Sequence, residues 1–350
     1  MNVGIIGLGR AGEAHVHAYR AHGIAIGAVV GSTYARTVQR AEALGLSAAV
    51  CHSVDALLAR DDIDLVSICS PPEWHHAHVM ATARAGKDMI VEKPIVLSAR
   101  ELEETTTAVR ESGVRTGVSF VLRWLEGIQQ AYAARHHVGR IFQVQADFWN
   151  GQHHQKPQSR RELGTVRGSI STLLSSGCHA VDMACWFVGA PVTTVQAVCP
   201  GDQAHTVQRT STLLLQFANG STGVVTSTDE VFRPLAFRLC VNGTEGGMDV
   251  DLDDERVRLY ARHGQDRYAQ IAILSAASAR TVAELPFTAM IGAFVDALRR
   301  GSDTAVTFAY AAHIHRVCFA AEDSARQHGA SIPGFFAQSD EKVYFRRSRS

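Results

Sequence analysis

A chain of 350 residues exceeds one average domain and suits two. Lysine plus arginine and aspartate plus glutamate both total 34, so the formal net charge is zero, and hydrophobic residues make up 46%, enough for a sizeable core. That balance excludes a global basic field for nucleic acid or an anionic membrane surface, and the short tail Arg346, Arg347, Arg349 reads as a frayed end. Seven scattered cysteines without a CxxC pair fit free thiols in a reducing cytoplasm. No stretch is apolar and long enough to span a bilayer, and the opening MNVGIIGLG lacks the basic flank of a signal peptide.

The first ~120 residues alternate short β-branched runs with helical patterns, the rhythm of a parallel sheet covered on both faces. The apolar run Val3–Ile6 ends in glycines, a helical stretch follows to Gly23, and Ile24–Val30 reads as a strand. Ala35–Leu44 predicts a helix, Ala48–Cys51 a short strand, Val54–Ala59 a helix, Leu65–Cys69 a buried strand, Glu73–Ala85 a helix and Asp88–Val91 another strand. Ser98 stands at an N-cap with Glu101 at the capping-box position, and Val114–Phe120 closes the series. Beyond residue 120 the texture changes to strands at Ile141–Trp149, Thr193–Cys199, Thr210–Phe217, Thr222–Ser227, Ala236–Asn242 and Val257–Ala261, with helices at Ser175–Phe187, Thr288–Arg300 and Ala309–His328. Ala218-Asn219-Gly220-Ser221 reads as a hairpin turn in which Asn-Gly supplies positive φ. The expected fold class is therefore α/β followed by α+β: a dinucleotide-type domain over 1–120, then 121–350 with a large open, mostly antiparallel sheet.

Gly7-Leu8-Gly9-Arg10-Ala11-Gly12 is a GxGxxG sequence placed directly after a strand and before a helix. Glycine is required there for a tight turn, for close backbone approach to a pyrophosphate and for helix–strand packing. The helix start then offers N–H groups and a positive dipole end to the phosphates. An NAD enzyme usually places an acid about 20 residues on, to accept from the adenosine ribose. Here the second strand runs into Gly31-Ser32-Thr33-Tyr34-Ala35-Arg36, with no acid. Ser32 and Thr33 can donate to a 2′-phosphate and Arg36 can neutralise it, so NADP(H) is favoured over NAD(H). The competing account is a plain turn followed by a solvated arginine.

Ser70-Pro71-Pro72-Glu73-Trp74-His75, then Ala85-Gly86-Lys87-Asp88-Met89-Ile90-Val91-Glu92-Lys93-Pro94, then Gly177-Cys178-His179-Ala180-Val181-Asp182 follow in order. Together with the glycine loop they resemble the Gfo/Idh/MocA family of oxidoreductases. The resemblance covers nearly the whole chain, by residue in the first domain and more by pattern in the second. It implies that Ser70, Pro71 and His75 lie at the cofactor turn, that Lys93 is the catalytic acid/base, and that Glu92 contacts the nicotinamide ribose or braces the loop. It implies His179 as the second catalytic position. Asp182, three residues on, either fixes the imidazole tautomer or is structural. Many polyol dehydrogenases of the family carry an aspartate where this chain has Ser175, which puts a full Lys–Asp–His triad in doubt.

Phe120-Val121-Leu122-Arg123-Trp124 resembles the family's YxxRF segment, so Arg123 and Trp124 are candidates for lining the substrate pocket. The polar run from Trp149 through His153 and His154 suits a hydroxyl-rich ligand, and Arg160 and Arg161 suit a carboxylate. The 17 histidines include adjacent pairs, but adjacent residues seldom face one ion and no HExxH occurs, so no metal is expected. The family reading implies hydride transfer between NADP(H) or NAD(H) and a secondary alcohol or ketone of a sugar, inositol or similar cyclic polyol. Two alternatives remain at this stage: a redox-neutral reaction with a tightly held cofactor, and a non-enzymatic dinucleotide sensor. A homodimer or homotetramer through the second-domain sheet is expected.

Overall fold

A computed structural model describes residues 1–151, 170–200, 208–252, 256–263, 267–275 and 286–333. The chain divides into two compact units, Met1–Val121 with Pro286–Ala312, and Leu122–Leu285 with His313–Ser350. The sequence assigns everything beyond residue 120 to a second domain; the structure returns Pro286–Ala312 to the first unit.

The first unit is built on a parallel sheet of six strands among the described residues, in the order β3-β2-β1-β4-β5-β6. These are β1 (Asn2–Ile6), β2 (Ala25–Val30), β3 (Ala49–Val50), β4 (Leu65–Ile68), β5 (Asp88–Val91) and β6 (Thr116–Val118). The central strands are buried almost end to end, as expected for strands covered on both faces. Between them run α1 (Arg10–Ala21), α2 (Tyr34–Ala43), α3 (Val54–Leu58), α4 (His75–Arg84) and α5 (Ala99–Ser112). The order reverses direction at β1 and β4, and ligands of such sheets bind beyond the carboxyl ends of the strands at that point. Ser98 caps α5 as expected, its Oγ accepting from Glu101 N at 3.2 Å. Glu101 Oε2 accepts from Leu97 N at 2.9 Å, one residue earlier than a standard capping box.

The returning segment supplies α8 (Phe287–Arg300), which packs along α1. Phe294 lies over Gly117, where an added Cβ would sit 2.6 Å from its ring. His22 Nε2 meets Thr288 O at 2.8 Å, Arg115 donates to Leu298 O, and Thr304 Oγ1 donates to Thr116 O at 2.6 Å. Helix α9 (Phe308–Arg326) begins in the first unit and passes into the second at Ala312.

The second unit contains a sheet of nine strands among the described residues, in the order β14-β13-β12-β11-β7-β10-β9-β8-β15. Its strands are β7 (Ile141–Asn150), β8 (Val192–Val198), β9 (Thr210–Phe217), β10 (Thr222–Thr228), β11 (Leu235–Gly243), β12 (Gly246–Asp251), β13 (Arg256–His263), β14 (Arg267–Ser275) and β15 (Ile332–Pro333). All neighbours are antiparallel except β7 and β10, which run parallel at the sheet's centre. Helix α6 (Glu126–Ala134) and helix α7 (Cys178–Val188) complete the described core, with α7 packed on β7 and β10.

Several features depart from the sequence expectations, among them α6, β14 and β15, which the sequence did not mark. In the hairpin between β9 and β10, Gly220 has the positive φ, +84°, while Asn219 acts through its side chain, Oδ1 accepting from Ser221 N at 3.1 Å. Strand β12 was not expected because it opens on Gly246-Gly247, residues poor in strand propensity. Pairing on both sides decides the matter, and a Cβ on Gly246 would fall 2.2 Å from Tyr260 O, so only glycine admits the neighbouring backbone. The helix expected from Ser175 starts instead with a wider, π-type turn at Leu173–Gly177 before α7 begins.

Candidate functional site

The three glycines of the opening turn have three different surroundings. Gly7 has φ +98°, and a Cβ there would lie 2.7 Å from both Cys69 O and Ser70 N, so the turn and its contact with β4 demand glycine. A Cβ on Gly12 would stand 2.0 Å from Gly7 O, which fixes α1 against the turn. A Cβ on Gly9 would meet nothing within 4 Å. Packing thus leaves open space over Gly9, the room a pyrophosphate cradle requires. Gly9 is also the N-cap of α1 and no side chain caps that end, leaving the first-turn N–H groups for an anion. Leu8 is buried, while Arg10 is exposed and Ala11 partly so. Arg40 of α2 reaches back to the turn, its Nε donating to Leu8 O at 3.3 Å and its guanidinium pairing with Glu13 at 2.8 Å. These residues fit a dinucleotide phosphate group.

At the end of β2, Ser32, Thr33 and Arg36 are all exposed. Thr33 N-caps α2, its Oγ1 accepting from Arg36 N at 3.3 Å. A hydroxyl that accepts still has its own proton to donate, so capping leaves Thr33 able to contact a ligand. A Cβ on Gly31 would collide with Thr37 Oγ1 at 2.6 Å, so glycine here serves packing.

Beyond β4, Ser70 is buried and its Oγ meets His78 Nδ1 at 2.9 Å; burial pushes His78 down to about 4, so that ring is neutral near pH 7. Pro71 is exposed. His75, expected beside the cofactor, is buried with Nδ1 2.7 Å from Pro94 O and Nε2 2.8 Å from Ser70 O. Burial lowers its pKa despite those two carbonyls. Its ring ties the turn after β4 to the loop after β5, so it holds the site's shape. Lys93 follows β5, half-buried, on a cis Lys93–Pro94 peptide.

Glu92 occupies the end of a polar chain that sequence reading missed. Tyr19 OH meets Ser67 Oγ at 2.8 Å, Ser67 Oγ meets His15 Nδ1 at 3.1 Å, and His15 Nε2 meets Glu92 Oε1 at 3.1 Å. Tyr19, Ser67 and His15 are fully buried. Burial pushes the Glu92 carboxyl up, but the hydrogen bond and charge of His15, the Lys93 ammonium and the Ser119 hydroxyl outweigh it and hold the carboxyl below its ordinary value. An ionised carboxylate only accepts, so His15 Nε2 donates to it, and Ser67 Oγ links His15 Nδ1 to Tyr19 OH. Of the two roles expected for Glu92, bracing has a visible partner.

In the second unit, His179 sits in the first turn of α7, buried, with Phe148 stacked on its ring at 5.9 Å. Gly177 lets the chain just before α7 approach β10, since a Cβ there would lie 2.4 Å from Ser227 Oγ. Asp182, read from the sequence either as fixing the His179 tautomer or as structural, is fully buried and gripped by Arg123: Arg123 Nε donates to Asp182 Oδ2 at 2.9 Å and a terminal nitrogen to Oδ1 at 2.5 Å. Arg123 is itself only 3% exposed and its guanidinium also lies 4.6 Å from the centre of the Trp186 ring. An ion pair closed in this way contributes to the packing of the second unit. Trp124 is half-buried. Ser175 lies in the π-type turn with Oγ 3.4 Å from Thr172 O. Trp149 is half-buried between two guanidinium groups, Arg233 at 4.6 Å and Arg238 at 5.2 Å from its ring centre. His153, His154, Arg160 and Arg161 lie outside the described residues. Among the described residues no group of three or more His, Cys, Asp or Glu side chains could hold a metal ion, and no helix is long and apolar enough to cross a membrane.

Comparison with known proteins agrees with this geometry. Residues 1–120 match the profile described as "Oxidoreductase family, NAD-binding Rossmann fold", and residues 129–249 match the "GFO/IDH/MocA C-terminal domain". An inositol 2-dehydrogenase of Rhizobium meliloti is 25% identical over 71% of this chain and 74% of its own length. A levoglucosan dehydrogenase of Pseudarthrobacter phenanthrenivorans is 25% identical over 78% of this chain and 71% of its own. The solved structure of a levoglucosan dehydrogenase in complex with NADH and levoglucosan covers 96% of this chain and 99% of its own at a TM-score of 0.85 and 22% identity, a likeness of fold. With both domain profiles matched in order and the glycine turn built for a pyrophosphate, the chain belongs to the Gfo/Idh/MocA family of NAD-binding oxidoreductases.

Proposed function

We propose that this protein transfers a hydride between NADP(H) and a secondary alcohol or ketone of a sugar, inositol or related cyclic polyol, with NAD(H) as the less favoured cofactor. The observation that carries the reading is the division of labour among Gly7, Gly9 and Gly12, in which only Gly9 is left open for a ligand. Relatives named for inositol and levoglucosan support the polyol class. The preference for NADP(H) rests on Ser32, Thr33 and Arg36, exposed where an NAD enzyme carries an acid.

Bound nicotinamide supplies the carbon that accepts or donates the hydride. Oxidising an alcohol also removes a proton from oxygen, so a base must stand beside the hydroxyl. Lys93 takes that proton at Nζ in oxidation and returns it in reduction. The ionised Glu92, braced by His15, keeps a fixed negative charge next to the ammonium in sequence. His179 polarises the reacting oxygen or relays its proton. The backbone N–H groups of the turn at Gly9 to Gly12 hold the pyrophosphate. Glu92 and His75 act as braces, and Asp182 with Arg123 as the packed ion pair behind α7.

A turnover screen of levoglucosan, myo-inositol and scyllo-inositol with each dinucleotide tests the reading, absorbance at the nicotinamide band reporting the hydride. Ser32→Asp is expected to weaken NADPH at least about tenfold while NADH holds, because a carboxylate repels the 2′-phosphate. Equal losses for both would remove the case for a 2′-phosphate site.

By register, Leu214 and Val198, 54% and 59% exposed, share one face of the nine-stranded sheet with Gln145, Gln196, Thr212 and Thr226. We infer that this face meets a second copy of the chain, giving a homodimer or homotetramer in the cytoplasm. Sedimentation equilibrium should return a multiple of 37.9 kDa, and Leu214→Glu should shift it to the single-chain mass; a monomer in the unaltered protein would refute the inference.

A further inference from the structure

Strands β2 and β3 are parallel neighbours with Val29 opposite Val50, and Cys51 N donates to Val29 O at 2.9 Å. The two chains therefore leave the sheet side by side at its carboxyl edge, Gly31-Ser32 from one and Cys51-His52 from the other. There the rings of Tyr34 and His52 stack face to face, centres 4.0 Å apart and planes within 9°. Both residues are exposed, Tyr34 at 45%. A stacked pair on the surface holds an imidazole in one orientation and removes much of the rotamer freedom it would otherwise lose on binding.

The two turns that carry this pair contain no carboxylate. Residues 31–36 and 51–54 contain Arg36 and His52 and no acid. The nearby acids are engaged or set apart: Asp62 is held by Arg60 at 2.8 and 2.9 Å, and Glu13 by Arg40 at 2.8 Å. Asp55 stands in the first turn of α3, beyond the Ser53 cap. Two exposed donors, Ser32 and Thr33, complete the patch. A position that needs a cation, several hydroxyl donors and no carboxylate is one that recognises a phosphate monoester.

We propose that His52, held by the Tyr34 ring, is a specificity residue of this protein: its imidazole N–H donates to the 2′-phosphate of a nucleoside 2′-phosphate, and so selects NADP(H) over NAD(H). The inference rests on the reading that this edge receives the adenosine end of the dinucleotide, and it adds a residue from β3's exit that the β2 motif does not contain. Tyr34 acts through His52 by fixing its plane.

The test is direct binding, which requires no substrate. NADPH, NADH and adenosine 2′,5′-bisphosphate are titrated by calorimetry into the unaltered protein, His52→Ala and Tyr34→Ala. His52→Ala should weaken NADPH and adenosine 2′,5′-bisphosphate about tenfold, the loss of one charge-assisted hydrogen bond, and change NADH less than about twofold. Tyr34→Ala should shift the same two ligands in the same direction by a smaller factor. Both side chains are exposed, and unchanged melting temperatures would show that the fold survives. An unaltered NADPH affinity in His52→Ala, or an equal loss for NADPH and NADH, overturns the proposal while leaving the dinucleotide reading in place. If the unaltered protein binds none of the three ligands, the wider reading falls and takes this one with it.

Discussion

Lys93→Ala is expected to lower turnover by about two to four orders of magnitude, the usual range for removing a positioned acid/base, while NADH and NADPH still bind. The separation follows from where the residues stand. The groups proposed to hold the dinucleotide phosphates belong to the turn between β1 and α1, with Gly7 and Gly12 set by their own packing and Gly9 left open. Lys93 follows β5, in a loop secured by His75 through the carbonyl of Pro94 at 2.7 Å. Removing the lysine side chain leaves that hydrogen bond intact. Lys93→Arg keeps the charge but cannot give up its proton, so it should be nearly as inactive as alanine. Paired calorimetry and steady-state rates check this, and retention of turnover in Lys93→Ala would remove the assigned acid/base.

The largest effect on stability is expected at Arg123. Its guanidinium is 3% exposed and the Asp182 carboxylate fully buried, so Arg123→Met strands a negative charge in the interior at a cost of about 3–5 kcal/mol. The double change Arg123→Met with Asp182→Leu should recover much of that loss, because two apolar groups replace two desolvated ions. Urea unfolding of the single and double variants measures the difference. If the single change proves as mild as the double, the pair is not carrying the packing of α7, and Arg123 becomes available again for a ligand.

The two domains differed in how much could be read from residues alone. In the first, every strand pair but β1–β4 joins consecutive strands, so short patterns report real neighbours: Asp88–Val91 is a strand with the same limits in sequence and structure, and Ser98 caps the helix it precedes. The spacing of Gly7, Gly9 and Gly12 is legible because the turn is local, and Gly7 and Gly12 each answer a backbone constraint. His15 and Glu92 stand 77 residues apart, and Arg123 and Asp182 59 apart, and nothing local marks either pairing. The GxHxxD spacing suggested that Asp182 serves His179, since residues three apart share a helix face. Nothing in that spacing marks the guanidinium that arrives from a distant segment to pair with the carboxylate. Opposite charges lying within apolar runs, as in VLRWL and HAVDMACWF, were the available signal, and they identify a buried pair without naming the partner. The return of Pro286–Ala312 to the first unit had no local signature either, because Thr288–Arg300 reads as the same amphipathic helix wherever it docks.

That returning helix settles a question of modularity. A chain stopped at Val121 would lack Phe294 over Gly117, the Thr288 carbonyl at His22 and the Thr304 hydroxyl at Thr116. It would expose an apolar flank of α1 and an edge of β6, which invites aggregation. The nucleotide-holding half is thus not a portable cassette that recombination could cut at one joint. Transplanting it requires two cuts, with 286–312 carried along and spliced behind residue 121.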